Sequence, residues 1–298
     1  MSASYLEATA RERILAVLDA GSFEELLPPA QRVVSPHLGQ LDAPVSFDDG
    51  VIIGAGRLDG QAVMAAAQEG GFMGGAVGEV HGAKLVGLLR RAVVKQAAGV
   101  ILLLETGGVR LHEANAGLIA VSEVMRAVLE TRAAGIPVIV LVGGANGCFG
   151  GMGIVARCAN TVIMSEEGRL AMSGPEVIET ANGVEEFDSR DRALVWRTTG
   201  GKHRYLIGDC QQLVSDDTAA FRAAAIAALA QVSAPQLTLA ALEAEQEMLR
   251  RRIATFGLAD DPMDIWAELG VPRPDSVPML EADAFTAMAQ AHRITSPA

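Results

Sequence analysis

Along this chain, short unbroken apolar runs alternate with stretches whose apolar residues recur at helical spacing. The runs Val100-Ile101-Leu102-Leu103-Leu104, Val138-Ile139-Val140-Leu141-Val142 and Thr161-Val162-Ile163-Met164 have the length and composition of buried strands. Between the first two, Leu111, Ala114, Leu118, Val121, Met125 and Val128 set out a helix that ends near Gly135, ahead of Pro137. Upstream, Val51 to Leu58 and Gln61 to Ala66 flank Asp59-Gly60, which predicts a hairpin. Residues 5–20 read as an amphipathic helix, 30–50 as an extended arm, and 72–98 as a helix with a glycine-rich start. Arg169 to Ser173 reads as a short strand, and Pro175 takes the first position of a helix. Phe221 to Gln231 and Leu237 to about Phe256 are further helices, with a ragged tail after Pro272. Strands alternating with helices predict one α/β domain. Its strands are short and its turns glycine-rich, so a large flat doubly wound sheet is not required.

Composition narrows the class. The 298 residues are 50% hydrophobic, which argues for a globular core. No apolar run reaches the roughly 18 residues expected of a membrane span. The N-terminus lacks the basic and apolar regions of a signal peptide, so a cytoplasmic protein is expected. The formal charge of −12 disfavours nonspecific nucleic-acid binding, and 4% aromatic residues leave few platforms for bases. Of the three cysteines, Cys148, Cys158 and Cys210, no pair has C-x-x-C spacing, and buried free thiols are expected rather than a zinc ribbon or disulfides.

Two glycine pairs carry the candidate chemistry. Gly107-Gly108 follows the first apolar run, Gly150-Gly151 follows the second, and each leads into a helix. Such turns could be glycine-rich only for tight backbone geometry. Two of them on successive strand–helix units, with a third pair at Gly74-Gly75, favour two oxyanion holes facing one cleft. Donors of this kind supply roughly 3–4 kcal/mol of transition-state stabilisation each.

Other signals are weaker. Gly151 to Ala156 fits the dinucleotide fingerprint formally, but it does not directly follow a strand. Cys148 has no evident histidine base, Glu113 suits the start of the helix after the first turn, and His81 and His203 lack metal-ligand spacing. Arg190, Arg192, Arg197, Lys202 and Arg204 form a basic cluster interleaved with acids. It is either a self-paired surface or a docking surface for an acidic or phosphate-bearing partner.

Several ordered motifs resemble the carboxyltransferase family, which includes the β subunit of bacterial acetyl-CoA carboxylase. They are Gly56 to Gln61, Phe72 to Glu79, Glu105 to Glu113, and Gly150-Gly151. The resemblance implies a crotonase-like spiral of β-β-α units with a helical C-terminal segment. It also implies a single domain over 1–298: helix and arm 1–49, core 50–210, C-terminal helices 217–270. No cysteine precedes Cys148, unlike the four-cysteine ribbon of the acetyl-CoA carboxylase branch. Ser35 to Leu38, Phe72 to Leu85, Val184 to Arg192 and Thr199 to Arg204 resemble instead the malonate decarboxylase β-subunit branch, which is biotin-independent.

That branch implies a β–γ heterodimer that converts malonyl-S-acyl-carrier-protein to the acetyl thioester and CO2. The substrate would ride on the phosphoribosyl-dephospho-CoA group of the carrier, an α subunit would exchange the acyl group, and the chain would need neither biotin nor zinc. Gly107, Gly108, Gly150 and Gly151 would supply the oxyanion holes. Gly74, Gly75, Arg190, Arg192 and Arg204 would contact the carried group. In the carboxyltransferases one pair serves the acyl thioester and the other the biotin carbonyl, so the second hole has no evident ligand here. The alternative is a carboxyltransferase subunit of a biotin-dependent acyl-CoA carboxylase; a structural partner with a vestigial cleft is a third reading.

Overall fold

A computed structural model describes residues 3–31, 33–40, 50–231 and 237–295. Much of the expected arm therefore lies outside the described residues. In chain order the N-terminal elements are α1 (Ala10–Val17), β1 (Glu24–Leu26), α2 (Pro36–Gln40), β2 (Val51–Leu58), β3 (Gln61–Gln68) and α3 (Glu79–Lys95). Next come β4 (Gly99–Leu103), α4 (Asn115–Ala133), β5 (Val138–Val142), α5 (Gly151–Arg157), β6 (Thr161–Ser165) and α6 (Pro175–Asn182). The remainder is α7 (Arg192–Thr199), α8 (Gly201–Leu206), β7 (Gln212–Val214), α9 (Thr218–Gln231), α10 (Leu239–Phe256), α11 (Pro262–Glu268) and α12 (Ala282–Ala289).

One seven-stranded sheet runs in sequence order from β1 to β7. The first three strands are antiparallel, and β3 to β7 are parallel. The Asp59-Gly60 turn is as expected: both residues have positive φ, and Asp19 accepts both of their N–H groups at 3.0 and 2.8 Å.

The central strands are continuous apolar runs because both faces are covered. Val100, Leu102, Val138, Val140, Val142, Val162 and Met164 face one core, beside α3, α4 and α5. Ile101, Leu103, Ile139, Leu141 and Ile163 face the other, beside α1 and α9. After β4, β5 and β6 the chain makes a second extended pass before its next helix. These passes are joined by single parallel bridges, Thr106 to Cys148 and Cys148 to Leu170, so the expected strand at 169–173 is reduced to isolated pairing. The result is the expected spiral of β-β-α turns.

Several boundaries differ for local reasons. Thr9 caps α1 with a reciprocal Glu12 contact, so the helix starts five residues late, at Ala10. Tyr5 is held outside it, buried and stacked on Phe221 at 4.0 Å. The glycine-rich start of α3 is not helical. Met73, Gly74 and Gly75 all have positive φ, and Gly78 caps a helix that begins at Glu79. The charged stretch 185–210 contains α7 and α8. The ragged tail holds a 3-10 turn (Pro274–Met279) and α12, whose Phe285 packs edge-on against Tyr205 at 5.9 Å. No described helix is long and apolar enough to cross a membrane.

Candidate active site

The parallel strands deliver the glycine turns to one ledge, beyond the C-terminal ends of β4 and β5. A Cβ on Gly150 would lie 3.1 Å from the Gly108 Cα, so the two pairs are in contact. The third turn joins them: the Gly107 N–H donates to the Gly74 carbonyl at 2.8 Å. Gly75 is buried with its α-carbon pressed against the Glu105 carbonyl, where a Cβ could not fit. Its expected contact with the carried group is thus corrected to a packing role; Gly74 is exposed.

The amides sort themselves by what they already bond. Besides Gly107, the Gly108 N–H donates to Thr106 Oγ1 at 3.1 Å, and the Gly150 N–H to the Met172 carbonyl at 2.9 Å. Gly151 and Met152 open α5, where main-chain N–H groups have no intrahelical acceptor. Among the described residues neither has another acceptor, and neither does the Val109 N–H. Of the four glycines read from the sequence, Gly151 therefore presents an open donor, and Met152 and Val109 are donors that the glycine signal did not point to.

Beneath the ledge runs a buried polar chain that the sequence reading missed. Glu105, at the end of β4, accepts from the Asn146 N–H and side-chain amide at 3.0 and 3.1 Å. It also pairs with the buried Arg13 of α1, while the Arg13 Nε–H donates to the Tyr5 carbonyl at 2.7 Å. The Glu105 N–H donates to Gln68 Oε1 at 3.1 Å, and Gln68 Nε2 meets His81 Nε2 at 3.0 Å. One carboxylate thus binds the first glycine turn, the second glycine turn and α1 together.

Glu113 is also placed differently from expectation. It accepts the Glu79 N–H at the start of α3 and pairs with Arg110 at 3.3 Å, both side chains buried. Cys148 is fully buried and burial pushes its thiol up to about 12, which leaves no thiolate nucleophile. Among the described residues no cluster of three or more His, Cys, Asp or Glu could hold a metal ion.

The basic cluster does not form one surface. Arg190 is exposed beside Asp188, and exposed Arg192 lies over the Trp196 ring at 5.3 Å. Arg204 instead points inward to Asp209 at 2.9 Å and to the Thr198 carbonyl at 2.9 Å, so it is not a docking residue. Arg197 pairs with Asp261 at 3.0 Å and Lys202 with Glu166 at 3.0 Å.

Around the ledge the surface is apolar and open. Leu111 is 88% exposed and Met172, whose carbonyl holds Gly150, is 70% exposed; Met73 and Leu118 are exposed nearby in sequence.

Comparison with known proteins gives concordant matches. The model of the carboxyl transferase domain family matches residues 7–247. Malonyl-S-ACP:biotin-protein carboxyltransferase MADC of Malonomonas rubra is 41% identical over 306 residues, covering 96% of each chain. A chain of a Pseudomonas malonate decarboxylase hetero-tetramer, solved with malonate, is 40% identical with a TM-score of 0.80, covering 88% of this chain and 95% of that one. The transcarboxylase 12S structure is 26% identical with a TM-score of 0.63, covering 74% of this chain and 40% of that one.

Proposed function

This chain belongs to the carboxyl transferase family, and from that premise we propose that it is the β-type subunit of a malonate decarboxylase. Its α/β fold is that of the carboxyltransferase and crotonase-type enzymes. Together with a γ subunit it would convert malonyl-S-acyl-carrier-protein to the acetyl thioester and CO2. The contact between the Gly108 and Gly150 turns, with open amides beside it, is the observation that carries this reading.

In the reaction, the bond between the carboxylate carbon and the methylene carbon breaks. Its electron pair moves into the thioester as an enolate, and a proton then returns to carbon. The barrier is largely the cost of charge on the thioester oxygen, so fixed N–H donors suffice in principle. Gly151 and Met152 are the donors left open for that oxygen, and Val109 lies on the facing turn. The exposed apolar rim fits a ledge that becomes a closed site only when the γ subunit covers it; closure would exclude water and strengthen those dipoles.

The α-subunit transferase and the carrier with its phosphoribosyl-dephospho-CoA group complete the proposed system. No biotin and no zinc enter the step. A second reading has one specific support: the Malonomonas relative is a biotin-protein carboxyltransferase. Both readings begin with the same enolate and differ in whether the carboxyl group leaves as CO2 or passes to biotin. The test is carboxyl-labelled malonyl thioester with the purified heteromer. Labelled CO2 released without a biotinylated protein, and unaffected by avidin, supports the decarboxylase. Release or transfer only when a biotinylated acceptor is added overturns it in favour of the carboxyltransferase.

A further inference from the structure

Asp209 sits among three guanidinium groups, Arg204 at 2.9 Å, Arg252 at 2.9 Å and Arg157 at 3.6 Å. It precedes β7, and the neighbouring Gln211 N–H donates to the Val162 carbonyl of β6 at 2.9 Å. The cluster therefore lies at the N-terminal ends of β6 and β7, the opposite end of the parallel strands from the glycine ledge. Arg252 also lines a cavity of about 410 Å³, together with Arg251, Arg293, Thr255, Phe256 and Met248. The Arg293 guanidinium donates to the Cys210 and Gln211 carbonyls at 2.9 and 3.1 Å and stacks on Tyr205 at 3.9 Å. Its Nε is buried without a partner among the described residues, as is that of Arg204. Arg251 is exposed and has no ion pair among the described residues.

Three guanidinium groups thus share the Asp209 carboxylate, and Arg251 and Arg293 add two more beside Arg252 around the adjoining cavity, on a chain whose formal charge is −12. Internal pairing does not account for this. Like charges packed at a concave, partly buried spot repel one another unless a counter-charge arrives from outside. Arginine forks match phosphate geometry best, and a threonine hydroxyl adds a donor. Phe256 and Met248 give the same cavity an apolar wall.

We propose that this cavity is a binding site for a phosphate-bearing small molecule. Arg251, Arg252, Arg293 and the Thr255 hydroxyl hold the phosphate, and a ring or apolar portion rests on Phe256 and Met248. The site is separate from the glycine ledge and does not depend on how that ledge is read.

The full chain, in complex with its partner subunit, is titrated calorimetrically with inorganic phosphate, AMP and adenosine. Saturable binding of phosphate and AMP is expected, with none by adenosine. Arg251→Glu and Thr255→Glu, both exposed positions, each weaken AMP binding at least ten-fold while the thermal midpoint and thioester turnover without AMP stay at wild-type values. No saturable binding by the wild-type protein overturns the proposal. So does equal binding of adenosine and AMP, or undiminished affinity in both variants.

Discussion

Glu105 holds Asn146 by two hydrogen bonds, accepting from its main-chain N–H at 3.0 Å and its side-chain amide at 3.1 Å. Glu105 precedes the first glycine pair and Asn146 precedes the second, so this contact fixes the spacing of the two turns. Asn146→Ala removes one hydrogen bond to a charged acceptor and leaves the main-chain bond in place. The expected cost is about 1.5–3 kcal/mol of stability, read by denaturant unfolding. Turnover should fall at least ten-fold with KM little changed, because misplacement of donors affects the transition state more than binding. Equal kcat in the variant would detach Glu105 and Asn146 from the site.

The open Gly151 N–H gives a sharper test than Gly108, whose N–H is already engaged and whose φ of +141° proline cannot adopt. Proline is tolerated at the first helical position, but a Cβ on Gly151 would lie 2.5 Å from Val121 Cγ1. The substitution is therefore made in a Val121→Ala background, which clears that contact. Val121→Ala alone should retain turnover with a modest loss of stability. Adding Gly151→Pro should then cut kcat by about 10²–10³-fold, the usual effect of losing one oxyanion donor. Circular dichroism confirms that the double variant is folded.

The sheet was largely legible because β4, β5 and β6 are buried on both faces and read as unbroken apolar runs. The glycine turns were legible as positions, since Gly75, Gly108 and Gly150 occupy conformations or close contacts that side chains resist. Which amides stay open was not legible. That depends on Gly74 and Met172 arriving from other segments to accept Gly107 and Gly150, and on the Thr106 hydroxyl turning back within its own turn to accept Gly108. The Arg13–Glu105 pair joins residues 92 apart in sequence, and nothing local to either marks the other. Arg204 was misread for a related reason. Charge alternation resembles a solvated surface, and only the fold turns one member of it inward toward Asp209.

That inward turn separates the arginines of the basic cluster. Arg190→Glu and Arg192→Glu change exposed side chains and should alter stability by no more than about 0.5 kcal/mol. Arg204→Glu places a carboxylate against Asp209 and breaks a mostly buried pair, with an expected loss of about 3–5 kcal/mol. Thermal unfolding of the three variants side by side checks the ordering. If carrier docking uses this region, the KM for the carrier should rise in the first two variants.

His203, which lies outside the glycine turns, provides a pH signature. Its Nδ1 accepts the Trp266 Nε1–H at 3.2 Å, which requires an unprotonated nitrogen. Burial, reinforced by the nearby Arg204 charge, pushes its pKa down to about 3. An unfolded histidine titrates near 6.5. Between about pH 6.5 and 3 the unfolded state therefore binds a proton that the folded state refuses, so stability falls as pH drops through that window. The limiting slope from this one group is about 1.4 kcal/mol per pH unit. His203→Gln keeps an acceptor for Trp266 and removes the titration. Its stability at pH 7 should be lower than wild type, and its loss on acidification from pH 6 to 4 should be shallower. Parallel slopes for the two proteins, measured by urea unfolding across that range, would show that His203 titrates normally and is not held neutral by the core.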